Sequence, residues 1–242
     1  MDPNFISFGI TCYLVFVVST TLHEAAHAYA AMKLGDLTAY YGGQVSLNPM
    51  PHIEREPIGM IAVPVVSYLW GGALFGWASA PYSVDWANRY PKRAALMALA
   101  GPVANLFLAF ISYLIIMCGL KLGWFTNPQS VSGGLIGMTQ FTVPIIEDDA
   151  VMLGIATTLS TFLYLNVFLF LFNLLPVSPL DGSAIIKVFM SDDVARRYQK
   201  VMSDPMNSLI GIVVAFMVFR TYIAPHLSWL VLKILYPDIG YS

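Results

Sequence analysis

Long apolar runs alternate with short polar connections along this chain, and the runs are too long for the core of an ordinary soluble domain. The first extends from Phe5 to Leu22, and a helical pattern continues through Ala25 to Leu34 until Gly35 ends it. At about 1.5 Å per residue this helix spans roughly 45 Å, more than a hydrocarbon core of about 30 Å, so its last turns emerge into the interface. Two further spans are clear, Ala94 to Leu120 and Val151 to Leu175, the latter stopped by Pro176. A C-terminal transmembrane region, 207–236, is interrupted by Arg220 and Pro225. Between the first two spans, Thr38 to Pro57 is rich in Gly, Pro and β-formers and reads as a short strand or hairpin, not a helix. Ile58 to Ala78 is apolar but broken by Pro64, Gly71-Gly72 and Gly76, which argues against a straight span. Residues 183–203 mix Lys187, Arg196, Arg197 and Lys200 with Ile185, Val188, Phe189 and Val194, which predicts an amphipathic surface helix at the headgroups.

The pattern predicts an all-α polytopic membrane protein with about four full transmembrane helices plus a re-entrant or broken segment. It forms a single integral-membrane domain over 1–242 with its core at 5–182. Composition agrees: 57% of the 242 residues are hydrophobic and 11% charged, where about 25% charged is usual. Such a chain lacks the polar surface to cover itself in water, and its solvent is largely lipid. Disorder is excluded by the apolar content. Nucleic acid is not a partner, since the net charge is -2 and no Lys/Arg stripe occurs. Cys12 and Cys118 sit in apolar runs without ligand spacing and read as plain buried residues. With Asp2 in place of a basic n-region, the first run does not read as a cleavable signal peptide.

Ionisable groups inside lipid are the informative rarity, each costing about 2.5–3.5 kcal/mol near the bilayer centre on insertion scales. Three fall within five residues: His23, Glu24 and His27, in the pattern H-E-x-x-H. Residues at i and i+4 share a helix face, so two imidazoles can converge on one metal ion while Glu24 takes a proton from bound water. A dication would also compensate the burial of the cluster. Catalytic zinc usually takes three protein ligands. The remaining candidates are His52, His226, the acidic run Glu147 to Asp149, and Asp181, where Pro176, Pro179 and Gly182 unwind the end of a span and can turn a carboxylate back into the bundle.

These residues resemble the site-2 protease family of intramembrane zinc metalloproteases. H-E-x-x-H stands at His23 to His27, N-x-x-P-x-P-x-L-D-G at Asn173 to Gly182, and G-P-x-x-N at Gly101 to Asn105, in the family's order. The resemblance implies that His23, His27 and Asp181 ligate one Zn²⁺ per chain, with Glu24 as general base. Asn173 matches the asparagine that holds the substrate backbone or steadies the tetrahedral intermediate. Asn105 is implied chiefly as packing or backbone support near the site and secondarily as a substrate contact. The segment with Gly43 and Asn48 matches a short membrane-inserted hairpin or loop that could pair with an unwound substrate strand, and His52 nearby is a candidate for the cavity. The implied partners are transmembrane protein or peptide substrates within the bilayer, and no PDZ or CBS domain is expected. The alternative reading, a metal-binding membrane transporter or sensor using the same His/Asp cluster, has no need of Glu24 beside the first ligand. Neither G-x-S-x-G nor G-x-G-D occurs, which removes the serine and aspartyl routes.

Topology tests the shared site independently. His23 and Asp181 both lie at the C-terminal ends of their spans, so these spans must run in the same direction. Only one clear span intervenes, which requires 58–78 to dip in and return on the same side. With the N-terminus outside, Lys33, Arg55, Arg89, Lys92, Arg93, Lys187, Arg196, Arg197 and Lys200 fall inside, nine of the twelve basic residues. This distribution places the active site toward the cytoplasmic side, in what reads as a bacterial cytoplasmic membrane.

Overall fold

In the computed structural model, which describes residues 3–72, 74–128, 140–146, 149–202 and 204–239, α1 (Pro3–Leu34) is one unbroken helix. It is followed by α2 (Thr38–Tyr41), α3 (Met50–Arg55), a π turn over Ile58–Ala62 that leads into α4 (Val63–Gly71), and α5 (Val84–Arg89). The second long helix, α6 (Pro91–Lys121), begins with proline at a position where no donor is lost. The third, α7 (Ala150–Asn173), is capped by Asp149, whose Oδ1 accepts from the N–H groups of Val151 and Met152. After α8 (Gly182–Ile185) and α9 (Asp192–Met202), α10 (Pro205–Val218) and α11 (Ala224–Leu235) form the last apolar helix. They are joined through a π turn at Phe219–Ile223 just before Pro225, which lacks the N–H to continue a regular ladder. Four stretches are long and apolar enough to cross a membrane: Phe5–Leu34, Pro91–Lys121, Ala150–Asn173 and Met206–Leu235. These match the four expected spans.

Helices α1, α6 and α7 pack into a three-helix core. His27 meets Met97 and His23 meets Asn105, so contacts advance along α1 as they retreat along α6, and the two are antiparallel. Ser19 meets Asn166, and His23 meets Asp181 beyond the end of α7. Helices α1 and α7 are therefore parallel, as a shared site requires. At the opposite end β1 (Phe125–Thr126) pairs antiparallel with β2 (Val143–Pro144), with Phe125 opposite Pro144. Phe141 closes this end, fully buried and stacked on Tyr164 beside Phe219 and Leu227. The Phe141 N–H donates to Ser160 Oγ, and its carbonyl accepts from the Tyr236 hydroxyl.

The broken segment folds back on itself. Ile58–Gly71 spans about 21 Å as a helix, too short for a hydrocarbon core. After Gly72 the chain doubles back, so that the Trp77 N–H donates to the Gly59 carbonyl at 3.1 Å. Ser79 Oγ then donates to Glu56 Oε1 at 2.6 Å, and Arg55 Nε donates to the Ser79 carbonyl.

Two local expectations are corrected. Residues 38–57 form no strand among the described residues; a loop lies between the helical turns α2 and α3. Asp36 Oδ1 accepts from both the N–H and the hydroxyl of Thr38, and Ala39 is fully buried. These bonds, together with the Ser83 N–H that fixes the same carboxylate, outweigh the strand preference of Tyr40 and Tyr41. Residues 183–203 are not one helix either. Met190 is extended and separates a 3₁₀ turn at Ile186–Phe189 from α9. The first part belongs to the Asp181 turn, and only Asp192–Met202 is the amphipathic helix, pinned by the Tyr198 hydroxyl to the Pro176 carbonyl. Ser203 lies outside the described residues.

Candidate metal centre

Helix α1 carries His23, Glu24 and His27 into the core, where they are 7%, 5% and 6% exposed. The His27 ring is fixed by Nδ1, which donates to the Met97 carbonyl at 2.8 Å. His23 is fixed from α6 as well, its Nδ1 meeting Asn105 Oδ1 at 2.5 Å. Both rings thus turn Nε2 toward the same point, and the two Nε2 atoms are 2.9 Å apart.

The third group arrives from the far side of the sequence. Helix α7 ends at Asn173, and tight turns follow: the Val177 N–H donates to the Leu175 carbonyl and that of Leu180 to the Val177 carbonyl. The Ser178–Pro179 peptide is cis. A Cβ on Gly182 would lie 2.3 Å from the Leu175 carbonyl oxygen and 2.4 Å from that of Leu174, so the turn after Asp181 closes only with glycine. Asp181 Oδ2 is thereby held 3.1 Å from His23 Nε2, and Oδ1 3.2 Å from His27 Nε2.

A zinc ion fits these residues. One ligand atom from each of His23, His27 and Asp181 lies within 4.8 Å of the others, and two imidazoles with a carboxylate form a catalytic zinc set. Each Nδ1 faces an oxygen and carries the proton, so the two Nε2 lone pairs oppose each other. A cation between them and the carboxylate resolves that repulsion. Gly101 preserves the space: a methyl there would sit 2.3 Å from His27 Nε2 and 2.5 Å from His23 Nε2. Glu24 is not one of the three; among the described residues its carboxylate accepts no hydrogen bond, which leaves it able to take a proton.

The other sequence candidates are placed differently. Asn173 is half-buried, and its amide nitrogen donates to the Leu169 carbonyl of its own helix. Asn105 is fully buried with both ends of its amide committed within the protein. It therefore sits behind His23, with its amide bonded to His23 and Asn166, an arrangement suited to support. Gly43 and Asn48 are exposed in the α2–α3 loop, and Asn48 Oδ1 accepts from the Met50 N–H. The adjoining Val45, Ser46 and Leu47 face Leu22, Ala25, Ala26 and Tyr29 across a groove of about 350 Å³, which none of His23, Glu24, His27 or Asp181 lines. His52 is buried and holds this loop through Nε2 and the Ser46 carbonyl at 3.0 Å. His226 lies in a separate groove with Tyr222 and Trp229. Asp149 caps α7, and Glu147 and Asp148 lie outside the described residues.

Sequence reasoning passed over Gly101 as the residue that makes room for the imidazoles, and over Asn166. An amide in the middle of an apolar span is costly, and that cost was the available signal for Asn166.

Comparison with known proteins agrees with this geometry. The model of peptidase family M50 matches residues 11–218. A Bacillus subtilis protein named "Putative zinc metalloprotease YwhC" is 33% identical over 223 residues, 90% of this chain and 84% of its own. Rip2 of Mycolicibacterium smegmatis, which carries the same description, is 25% identical over 184 residues, 75% of this chain and 58% of its own. No solved structure matches the chain. The matched span contains the H-E-x-x-H helix, the Gly101 space and the Asp181 turn, and with its four membrane-length apolar helices the chain is a multi-pass membrane protein belonging to peptidase family M50.

Proposed function

We propose that this chain is a site-2-type zinc endopeptidase that hydrolyses peptide bonds in or near transmembrane segments of other membrane proteins, as in regulated intramembrane proteolysis. The observation that carries the reading is the convergence of His23, His27 and Asp181 beside an uncommitted Glu24, buried within apolar helices. Zinc held by these three residues supplies Lewis acidity toward a peptide carbonyl and toward water. Glu24 takes a proton from the attacking water as its oxygen bonds to the carbonyl carbon. It then delivers that proton to the leaving amine as the C–N bond breaks. Asn173 uses one amide hydrogen on Leu169 and keeps the second for the substrate backbone. Across the groove from Leu22, Ala25 and Ala26 of α1, the exposed loop with Gly43 and Asn48 offers backbone groups to an extended substrate strand. A helical substrate must unwind locally, because its own hydrogen bonds shield the scissile carbonyl. The basic residues gathered at the Asp181 end support a cytoplasmic-side active site.

The test is zinc analysis of purified protein together with cleavage of a model transmembrane substrate. Wild type is expected to hold one zinc and cleave, and Glu24→Gln to hold zinc without cleaving. Cleavage by Glu24→Gln overturns the mechanism. Metal transport by a wild type that never cleaves favours the transporter.

A further inference from the structure

We infer that Asn166 is a positioning residue that acts through Asn105 to fix the tautomer and orientation of His23, and so sets the affinity of the site for zinc. The inference rests on the reading that His23, His27 and Asp181 hold the metal. Ser19, Asn105 and Asn166 are each 0% exposed, and they come from α1, α6 and α7, so one polar thread joins the three core helices. Buried amides in an apolar bundle are tolerated only when their groups are paired, and here each bond can be followed. Asn166 Nδ2 donates to the Phe162 carbonyl at 2.9 Å and to Ser19 Oγ at 2.9 Å. Asn105 Nδ2 donates to Asn166 Oδ1 at 2.8 Å, and Asn105 Oδ1 faces His23 Nδ1.

The Phe162 carbonyl determines the polarity of the whole thread. A backbone carbonyl can only accept, so Asn166 must turn its NH₂ toward Phe162 and its oxygen toward Asn105. Asn105 must then turn its NH₂ toward Asn166 and its oxygen toward His23. That oxygen can only accept, so His23 carries its proton on Nδ1 and presents the Nε2 lone pair to the metal. His27 reaches the same state directly, because its Nδ1 partner is the Met97 carbonyl. His23 has no backbone carbonyl at Nδ1, and Asn166 transmits one to it. Without Asn166 the Asn105 amide is free to reverse, and a reversed amide places a donor against Nδ1, which favours the proton on Nε2 and blocks the ligand.

The experiment uses the full chain purified in detergent. Zinc affinity is measured by competition with a chromophoric chelator, and the ligand field by the visible spectrum of the cobalt-substituted protein. Asn166→Leu keeps the volume in an apolar bundle but removes the acceptor for Asn105. It is expected to fold and to bind zinc about 10–100-fold more weakly, the usual cost of losing an outer-shell partner, with an altered cobalt spectrum. Asn166→Asp retains an oxygen toward Asn105 and is expected to recover much of that loss. Ser160→Ala removes a comparable buried hydroxyl, the acceptor of the Phe141 and Thr142 N–H groups, away from the site. It is expected to leave zinc affinity unchanged, which separates positioning from general loosening. Wild-type affinity and an unaltered cobalt spectrum in Asn166→Leu overturn the inference, as does an Asn166→Asp that falls as far as Asn166→Leu. Zinc retained in Asp181→Ala overturns instead the ligand reading on which it stands, and the inference with it.

Discussion

His23 Nε2 lies 3.1 Å from Asp181 Oδ2 across 158 positions of sequence. This contact joins the interior of α1 to the turn that follows α7, and neither forms the site alone. Asp181→Ala removes the carboxylate proposed as the third ligand but leaves the backbone carbonyl at this position, which accepts from the Ala184 and Ile185 N–H groups, so the turn is expected to survive. Zinc affinity is expected to fall beyond the roughly 100-fold that marks the loss of an outer-shell partner. Measured by chelator competition, a smaller loss would show that Asp181 is not a ligand.

Gly101→Ala provides a steric test with opposed signs. In a helix interior this exchange ordinarily stabilises by about 0.5–1 kcal/mol. Here the added methyl would lie 2.3 Å and 2.5 Å from the two Nε2 atoms. The variant is expected to keep its helical circular dichroism while zinc content and cleavage collapse together. Full zinc occupancy would show that the imidazoles do not depend on this space.

The spans and the three side chains that converge were readable because each carries a signal that a short window can hold: unbroken apolar runs, H-E-x-x-H at one helical turn, and prolines with a glycine around Asp181. The α2–α3 segment was misread because its outcome turns on Asp36, which accepts from Thr38 and from Ser83 47 residues further on. No local propensity contains that tertiary bond. Asn166 was passed over for a related reason, since a single amide acquires a role only once α1 and α6 lie beside it. Asn105 was placed near the site by its motif, but its burial on the far side of His23 depends on how the helices pack.

Asp36 also carries a pH dependence. Burial alone would raise its carboxyl pKa, but hydrogen bonds from the Thr38 hydroxyl and from the Ser83 and Thr38 N–H groups outweigh this and hold it below the ordinary value. A depressed folded pKa adds stability that is fully present above the unfolded value of about 3.9 and is lost as pH falls through the folded value. Asp36→Ala is expected to be less stable at neutral pH by about 0.5–2 kcal/mol, the range for a lost cap. The gap to wild type should close on acidification. Thermal unfolding in detergent at stepped pH measures it, and a gap that persists well below pH 3 would remove Asp36 as its source.

A re-entrant path through 58–78 would let His23 and Asp181 share a membrane depth, and it can be tested without reference to activity. The Ser83 N–H donates to Asp36 Oδ2 at 2.7 Å, so the chain returns after α4 to the end of α1 from which it left. In a background with Cys12→Ala and Cys118→Ala, Glu54→Cys and Tyr82→Cys are expected to react with an impermeant thiol reagent from the same face. Trp124→Cys, exposed beyond the far end of α6, is expected to react only from the other. If Glu54→Cys and Tyr82→Cys reacted from opposite faces, α6 would run parallel to α1 and α7 antiparallel to it. Asp181 would then emerge on the face opposite His23, and no arrangement of side chains could bring three ligands to one ion.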